Sequence, residues 1–554
     1  MTLATVFVAM GSAFAGEMPT ATLKGKVLHL DFSSPVAERE GGNLTLGLGG
    51  LNTTRNTSLL NLEAVLASAA NDPAIAMIFM KPDNLSAGRA TTEEIRTMIL
   101  RFKESGKPVV AYAKNMSVEA CYLASAADYV ILNPSGTGQF LGVGTSQYFI
   151  KDLLDTLGLD IQLIRHGQYK SAGEMYIRND FSPANREQYE RLLNTIWQSR
   201  LQAIAEGRGL RPCCLNRLAE TLALDDAQSW KAAGLVDTLM YRDQVEEFMC
   251  SLFKADELSD IKAVTPATYN LRNSRNRNKI AVIYADGTIG DGSDIGGDAM
   301  ARTIAEVRRD ESVKAVVFRV NSPGGEVTAS DLIRREILML QQEKPVVASY
   351  GNYAASGGYW ISSSASRIFC SNSTLTGSIG VFGTVPAIGN ALRKNLHVNM
   401  VTIGTNSHSG MLSGIDPLTD EELEWYQRHI DSIYENFVSL VAENRGMEVA
   451  VVDSLAQGRV WSGVDAIQNG LADEIGTLMD AILYVAKEAG LDKFSVVSYP
   501  EVEEFSLRSL LGKDKDKKTP LVQMPYIVRY LSWLAGNTYP ATMALPEAIF
   551  FDWQ

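Results

Sequence analysis

Cysteine and histidine are scarce, with five of each in 554 residues. None of the cysteines (Cys121, Cys213, Cys214, Cys250, Cys370) shows the C-x-x-C or Cys/His spacing of a tetrahedral zinc site, so no metal centre is expected. Their number is odd, and a bridge between adjacent Cys213 and Cys214 would close a strained ring, so they read as core or incidental thiols. No histidine stands in a motif around a candidate serine nucleophile, so a His-Asp relay is not indicated. Basic charge is also in deficit: 51 Lys and Arg against 64 Asp and Glu leave a net charge of −13. That argues against a nucleic-acid partner, because such binding draws on clustered cations. Charge is missing altogether from the first fifteen residues, MTLATVFVAMGSAFA. No basic residue precedes this apolar run, as a secretory signal requires, and it is shorter than a membrane span, so it reads as a clipped membrane-targeting or anchor segment at 1–16.

What is present is globular: 46% hydrophobic and 21% charged residues, in a chain longer than one hydrophobic core usually organises. Self-comparison explains the length. GKPVVAYAKNMSVEACYL from Gly106 matches EKPVVASYGNYAASGGYW from Glu343, and aligning Lys107 with Lys344 gives an offset of 237 residues. The same register sets Asn84 opposite Asn321 and Gly88 opposite Gly325, and GLVDTL from Gly234 echoes GLADEI from Gly470. Such a period signals duplication of a whole domain. The polar stretch NLRNSRNRN (270–278) suits a linker between halves at 20–270 and 278–500, with an extension at 501–554. Within each half, β-branched runs such as KAVVFRVN and KPVVASYG alternate with helical patterns such as ASDLIRREILMLQQ. This order predicts α/β domains with parallel sheets and crossover helices.

Two local patterns carry chemistry. Asn321-Ser322-Pro323-Gly324-Gly325 follows a strand and precedes a helix, where paired glycines can turn the backbone and offer N–H groups to an oxyanion. A βα turn without chemistry fits the same residues. In Tyr353-Ala354-Ala355-Ser356-Gly357-Gly358, small residues surround the Ser356 hydroxyl and Gly357 offers the next N–H; close helix packing is the alternative. With histidine set aside, a lysine is the leading base. Its ordinary pKa near 10.4 must then fall by about three pH units, at roughly 4 kcal/mol, which burial can supply. Composition and spacing do not say which lysine.

NSPGG, YAASGGYW, STLTGSIGVFG from Ser373 and HGQYKSAGE from His166 together resemble the long, tandem-domain form of the signal peptide peptidase A (protease IV) family. The resemblance covers about residues 20 to 500. It implies two tandem crotonase/Clp-protease-like domains and a serine peptidase with a Ser/Lys dyad split between the halves. By this resemblance Ser356 is the nucleophile, Lys170 the general base, Ser378 the hydroxyl that orients the lysine amine, and Gly324 and Gly357 the oxyanion donors. It further implies no cofactor, apolar peptide substrates (remnant signal peptides), a homotetramer, and a bacterial inner-membrane location with the catalytic body on the periplasmic side. In the repeat register Ser356 faces Glu119, Gly324 faces Ala87 and Lys170 faces Ser407, so each half lacks the other's part. A crotonase-type acyl-CoA enzyme and a catalytically inert membrane scaffold are the rival readings.

Overall fold

The computed structural model of the chain describes residues 22–47, 50–271, 276–501 and 542–543. The segment read as an anchor (1–16), part of the linker stretch and nearly all of the 501–554 extension lie outside them. Among the described residues no helix is long and apolar enough to cross a membrane.

In the first half, strands β1 (Lys26–Leu30), β2 (Ile75–Met80), β3 (Val109–Ala113) and β4 (Tyr129–Leu132) form a parallel sheet with two short edge strands, β6 (Thr238–Leu239) and β7 (Ala263–Val264). Their spatial order is β6-β4-β3-β2-β1-β7. The second half repeats it. Strands β8 (Lys279–Asp286), β9 (Val313–Ser322), β10 (Val346–Ala355), β11 (Ile368–Cys370), β15 (Glu474–Ile475) and β16 (Ser495–Tyr499) run parallel in the order β15-β11-β10-β9-β8-β16. Runs such as IAMIFM and VVASYG are apolar along nearly their whole length because helices cover both sheet faces. Amphipathic helices supply the crossovers: α1 (Leu59–Asn71) and α2 (Arg89–Lys103) in the first half, α5 (Gly297–Arg309) and α6 (Val327–Gln341) in the second.

Element positions refine the repeat register. Strand β3 and strand β10 begin 237 residues apart, at Val109 and Val346, but α2 and α6 begin 238 apart, at Arg89 and Val327. The helix-to-strand connection is one residue longer in the first half. Upstream of it, Gly324 therefore stands opposite Ser86 rather than Ala87, and the first-half turn again has no glycine at that position.

The halves are joined by crossing elements. Strand β5 (Asp160–His166) of the first half pairs antiparallel with β13 (Val381–Ala387) of the second over its whole length, from Asp160–Ala387 to His166–Val381. Helix α2 has Gly88 as its N-cap residue, without a side chain to cap it. The cap comes from the second half: Ala90 and Thr91 N–H donate to Asn352 Oδ1 at 3.0 and 3.4 Å. Any Cβ on Gly88 would lie 2.2 Å from that oxygen, which is why glycine stands there. Deeper in, fully buried Arg319 on β9 donates to Glu38 (2.7 and 2.9 Å) and Glu94 (2.6 Å) of the first half.

Candidate active site

Ser356 directly follows β10, and Ser378 directly follows β12 (Leu375–Gly377). The two strands run parallel and end in register, Ala355 opposite Gly377, so the two hydroxyls emerge side by side. Both serines hold a positive φ, 56° and 50°, which a residue with a Cβ rarely adopts. Strain of this kind costs about 1–3 kcal/mol and persists only where the surroundings enforce it. Here Ser356 N–H donates to Gly377 O (2.8 Å), and Ser378 N–H donates to Arg459 O (2.7 Å) beside β14 (Val460–Ser462).

Lys170 reaches this point from the other half. Strand β5 delivers it: four residues beyond His166, the Arg165 guanidinium donates to Lys170 O (2.8 Å) and pairs with buried Glu174 (3.0 Å). Tyr169 N–H donates to Gln457 O (2.9 Å) of the second half, locking the turn. The lysine amine then lies 2.8 Å from Ser356 Oγ, 3.0 Å from Ser378 Oγ and 3.1 Å from Ser378 O. All three side chains are buried, with Lys170 only 1% exposed. Burial pushes the Lys170 pKa down from 10.5 to about 7, and among the described residues no carboxylate hydrogen-bonds to the amine.

The Gly324–Gly325 turn meets the same serine. Gly324 has φ +106°, and a Cβ on Gly357 would lie 3.2 Å from Gly324 Cα and 3.1 Å from Gly325 N. The Gly324–Gly325 backbone and the residue that follows Ser356 thus lie against each other. Gly324 N–H donates to the buried Ser322 hydroxyl at 3.2 Å, the long end of the ordinary range.

Sequence reasoning missed Gly458. Its φ is +77°, and a Cβ there would lie 2.5 Å from Lys170 Cβ, so only glycine lets this second-half loop pack against the lysine. No local pattern distinguishes it from other loop glycines. His166 does form a carboxylate pair, with Asp431 at 2.7 Å, and stacks on Tyr434. Among the described residues, however, no serine hydroxyl hydrogen-bonds to that ring. None of the described residues forms a cluster suited to a metal ion.

The arrangement is a buried amine, a hydroxyl within hydrogen-bond reach, and clustered backbone donors, which suits acyl transfer. The family model "Peptidase family S49" matches twice, over residues 101–256 and 339–492. Protease 4 of Haemophilus influenzae is 35% identical over 85% of this chain and 80% of its own length. Protease 4 of Salmonella typhi is 35% identical over 90% of this chain and 84% of its own. The chloroplastic serine protease SPPA of Arabidopsis thaliana is 31% identical over 89% and 75%. A family match in each half, and peptidase relatives aligned across both, agree with the duplicated fold: the chain belongs to peptidase family S49 and is a serine peptidase.

Proposed function

We propose that the chain is a Ser/Lys-dyad endopeptidase that cleaves remnant signal peptides and related apolar peptides through an acyl-enzyme. The observation that carries this reading is the 2.8 Å separation of the Lys170 amine and Ser356 Oγ. In its neutral form the amine has two N–H groups and one lone pair. The N–H groups donate to Ser378 O and Oγ, which turns the lone pair toward the Ser356 hydroxyl. Ser356 Oγ then attacks the peptide carbonyl as its proton passes to Lys170, and the Gly324 and Gly357 N–H groups receive the oxyanion. The lysine returns the proton to the leaving amine. A water deprotonated by the same lysine attacks the ester, and Ser356 leaves with the proton to release the acid product.

The acyl-CoA alternative relies on carboxylates for proton transfer, and none is hydrogen-bonded to Ser356 or Lys170 among the described residues. In this reading each half is crotonase/Clp-protease-like, and the halves correspond to 20–270 and 278–500. The protein works as a homotetramer at a bacterial inner membrane, with its catalytic body on the periplasmic side. A relative named putative signal peptide peptidase SppA, of Enterococcus faecium, is 36% identical over 35% of this chain and supports the substrate class, while membrane fractionation and sedimentation velocity test the setting. The decisive assay is hydrolysis of a lipophilic peptide ester and amide. Ser356→Ala and Lys170→Ala should each lose about a thousandfold or more in kcat/KM, and undiminished turnover in either variant would sink the dyad.

A further inference from the structure

The first half carries a cavity of about 670 Å³ on the outer face of its sheet, within the range of small-molecule sites. Val27, Phe79 and Tyr112 from the strands and Met249 from helix α4 (Arg242–Phe253) give it apolar walls. His29, Lys81, Lys114 and Arg242 also line it, and none of its lining residues belongs to the Lys170–Ser356 cluster.

The duplicated half shows what this face looks like when closed. Helix α9 (Leu478–Glu488) is the counterpart of α4, and the GLVDTL/GLADEI match sets Leu478 opposite Arg242 and Ile482 opposite Glu246. Leu478, Ala481, Ile482 and Val485 pack onto Ile280, Val282 and Val317 of the sheet. In the first half two large apolar side chains have thus become charged ones, which pair with each other (Arg242 to Glu246, 2.7 Å), and the space stays open.

The cations differ in the same way. Met80 pairs with Ala111 and Phe318 with Ala348, so the following residues, Lys81 and Arg319, hold equivalent positions. Arg319 is neutralised by Glu38 and Glu94. Neither the Lys81 nor the Lys114 ammonium has a hydrogen bond or ion pair among the described residues. Beside them, the buried His29 Nε2 has no hydrogen-bond partner. Lys81 is near enough to His29 to depress its protonation, after burial. An unpartnered ring nitrogen, able to donate in its Nε2–H tautomer, and two free cations lining an apolar cavity are complementary to an anion attached to something apolar.

We propose that this cavity binds one carboxylate carried on an apolar chain, the carboxylate meeting Lys81, Lys114 and His29 Nε2 and the chain lying against Phe79, Tyr112 and Met249. A medium-chain fatty acid and the C-terminal end of a short apolar peptide share this chemistry. The proposal does not rest on the dyad reading.

The test is calorimetric titration of the full-length Ser356→Ala chain, which spares a peptide ligand from cleavage. The ligands are octanoate, 1-octanol, and acetyl-trileucine as its free acid and as its amide. One octanoate or one peptide acid per chain is expected, with the neutral analogues about tenfold or more weaker. Binding of octanoate alone identifies the fatty acid as the source, and binding of the peptide acid alone identifies the peptide terminus. Lys81→Met/Lys114→Met should weaken the acids by about tenfold or more. Arg242→Leu/Glu246→Ile, which restores the closed packing of the second half, should abolish binding while circular dichroism shows an unchanged fold. Equal binding of acid and neutral analogue, or full binding by the filled variant, overturns the proposal. So does a chain that binds neither acid while the double lysine variant alters its self-association, since the cations would then serve a second copy.

Discussion

At Lys170 the chemistry and the stability of the protein pull in opposite directions. The folded amine titrates at about 7 against an ordinary 10.5, so above pH 7 the folded chain has released a proton that the unfolded chain keeps up to 10.5. Stability therefore rises with pH across that window, and below pH 7 the full penalty of the buried amine is present. Replacing it by Met should raise stability at pH 7 by on the order of 2 kcal/mol, after the lost bonds to Ser378 and Ser356 are counted. A higher thermal midpoint for Lys170→Met than for the parent chain is the expected reading, and a lower one contradicts burial as the cause. Activity has the same origin. In the proposed dyad the lysine acts as base only when neutral, so kcat/KM should climb through an apparent pKa near 7 and level off above it. A pH–rate profile that is flat from pH 5 to pH 9 would separate catalysis from this amine.

Single elements of this protein are completed by the opposite half. Helix α2 takes its N-terminal cap from Asn352, and β5 finds its pairing partner in β13. Arg319 on β9 finds its carboxylates on Glu38 and on α2 at Glu94. Both glutamates are nearly inaccessible, and Glu94 is pushed up by burial first, with Arg319 opposing it. Removing the cation strands two carboxylates in a low-dielectric interior. Arg319→Met should cost about 3–5 kcal/mol, read as a lowered urea midpoint. A change within a few tenths of a kcal/mol would mean that solvent reaches the carboxylates in the folded chain. At this scale the sequence was legible in part. The runs KAVVFRVN and KPVVASYG announce strands β9 and β10 through β-branched content, and the NSPGG turn announces itself through Pro and Gly. The helix-to-strand connection after α2 misled by one residue, because a repeat aligned on identities cannot show on which side of Lys107 a loop has gained length.

For the whole molecule, the duplicated halves share one candidate site: nucleophile and oxyanion turn in the second, lysine in the first. Because Lys170 and Ser356 meet within a single chain, two inactive chains cannot rescue one another. A mixture of Lys170→Ala and Ser356→Ala chains, co-expressed and purified together, should hydrolyse the peptide ester no faster than either alone. Recovered activity would show that the halves exchange between chains. The repeat, the α/β alternation and the mutual loss of site residues were all present in the linear order of residues, because backbone propensity and periodicity are local properties. Ser356 could be singled out for its small neighbours, and Lys170 only by resemblance. What the tertiary structure alone decided is why this lysine differs from the others: β5 crosses to the second half, Gly458 lets the loop close over it, and the amine is desolvated beside two serine hydroxyls. Desolvation depends on which distant atoms exclude water from a group, and nothing in the sequence around Lys170 encodes that.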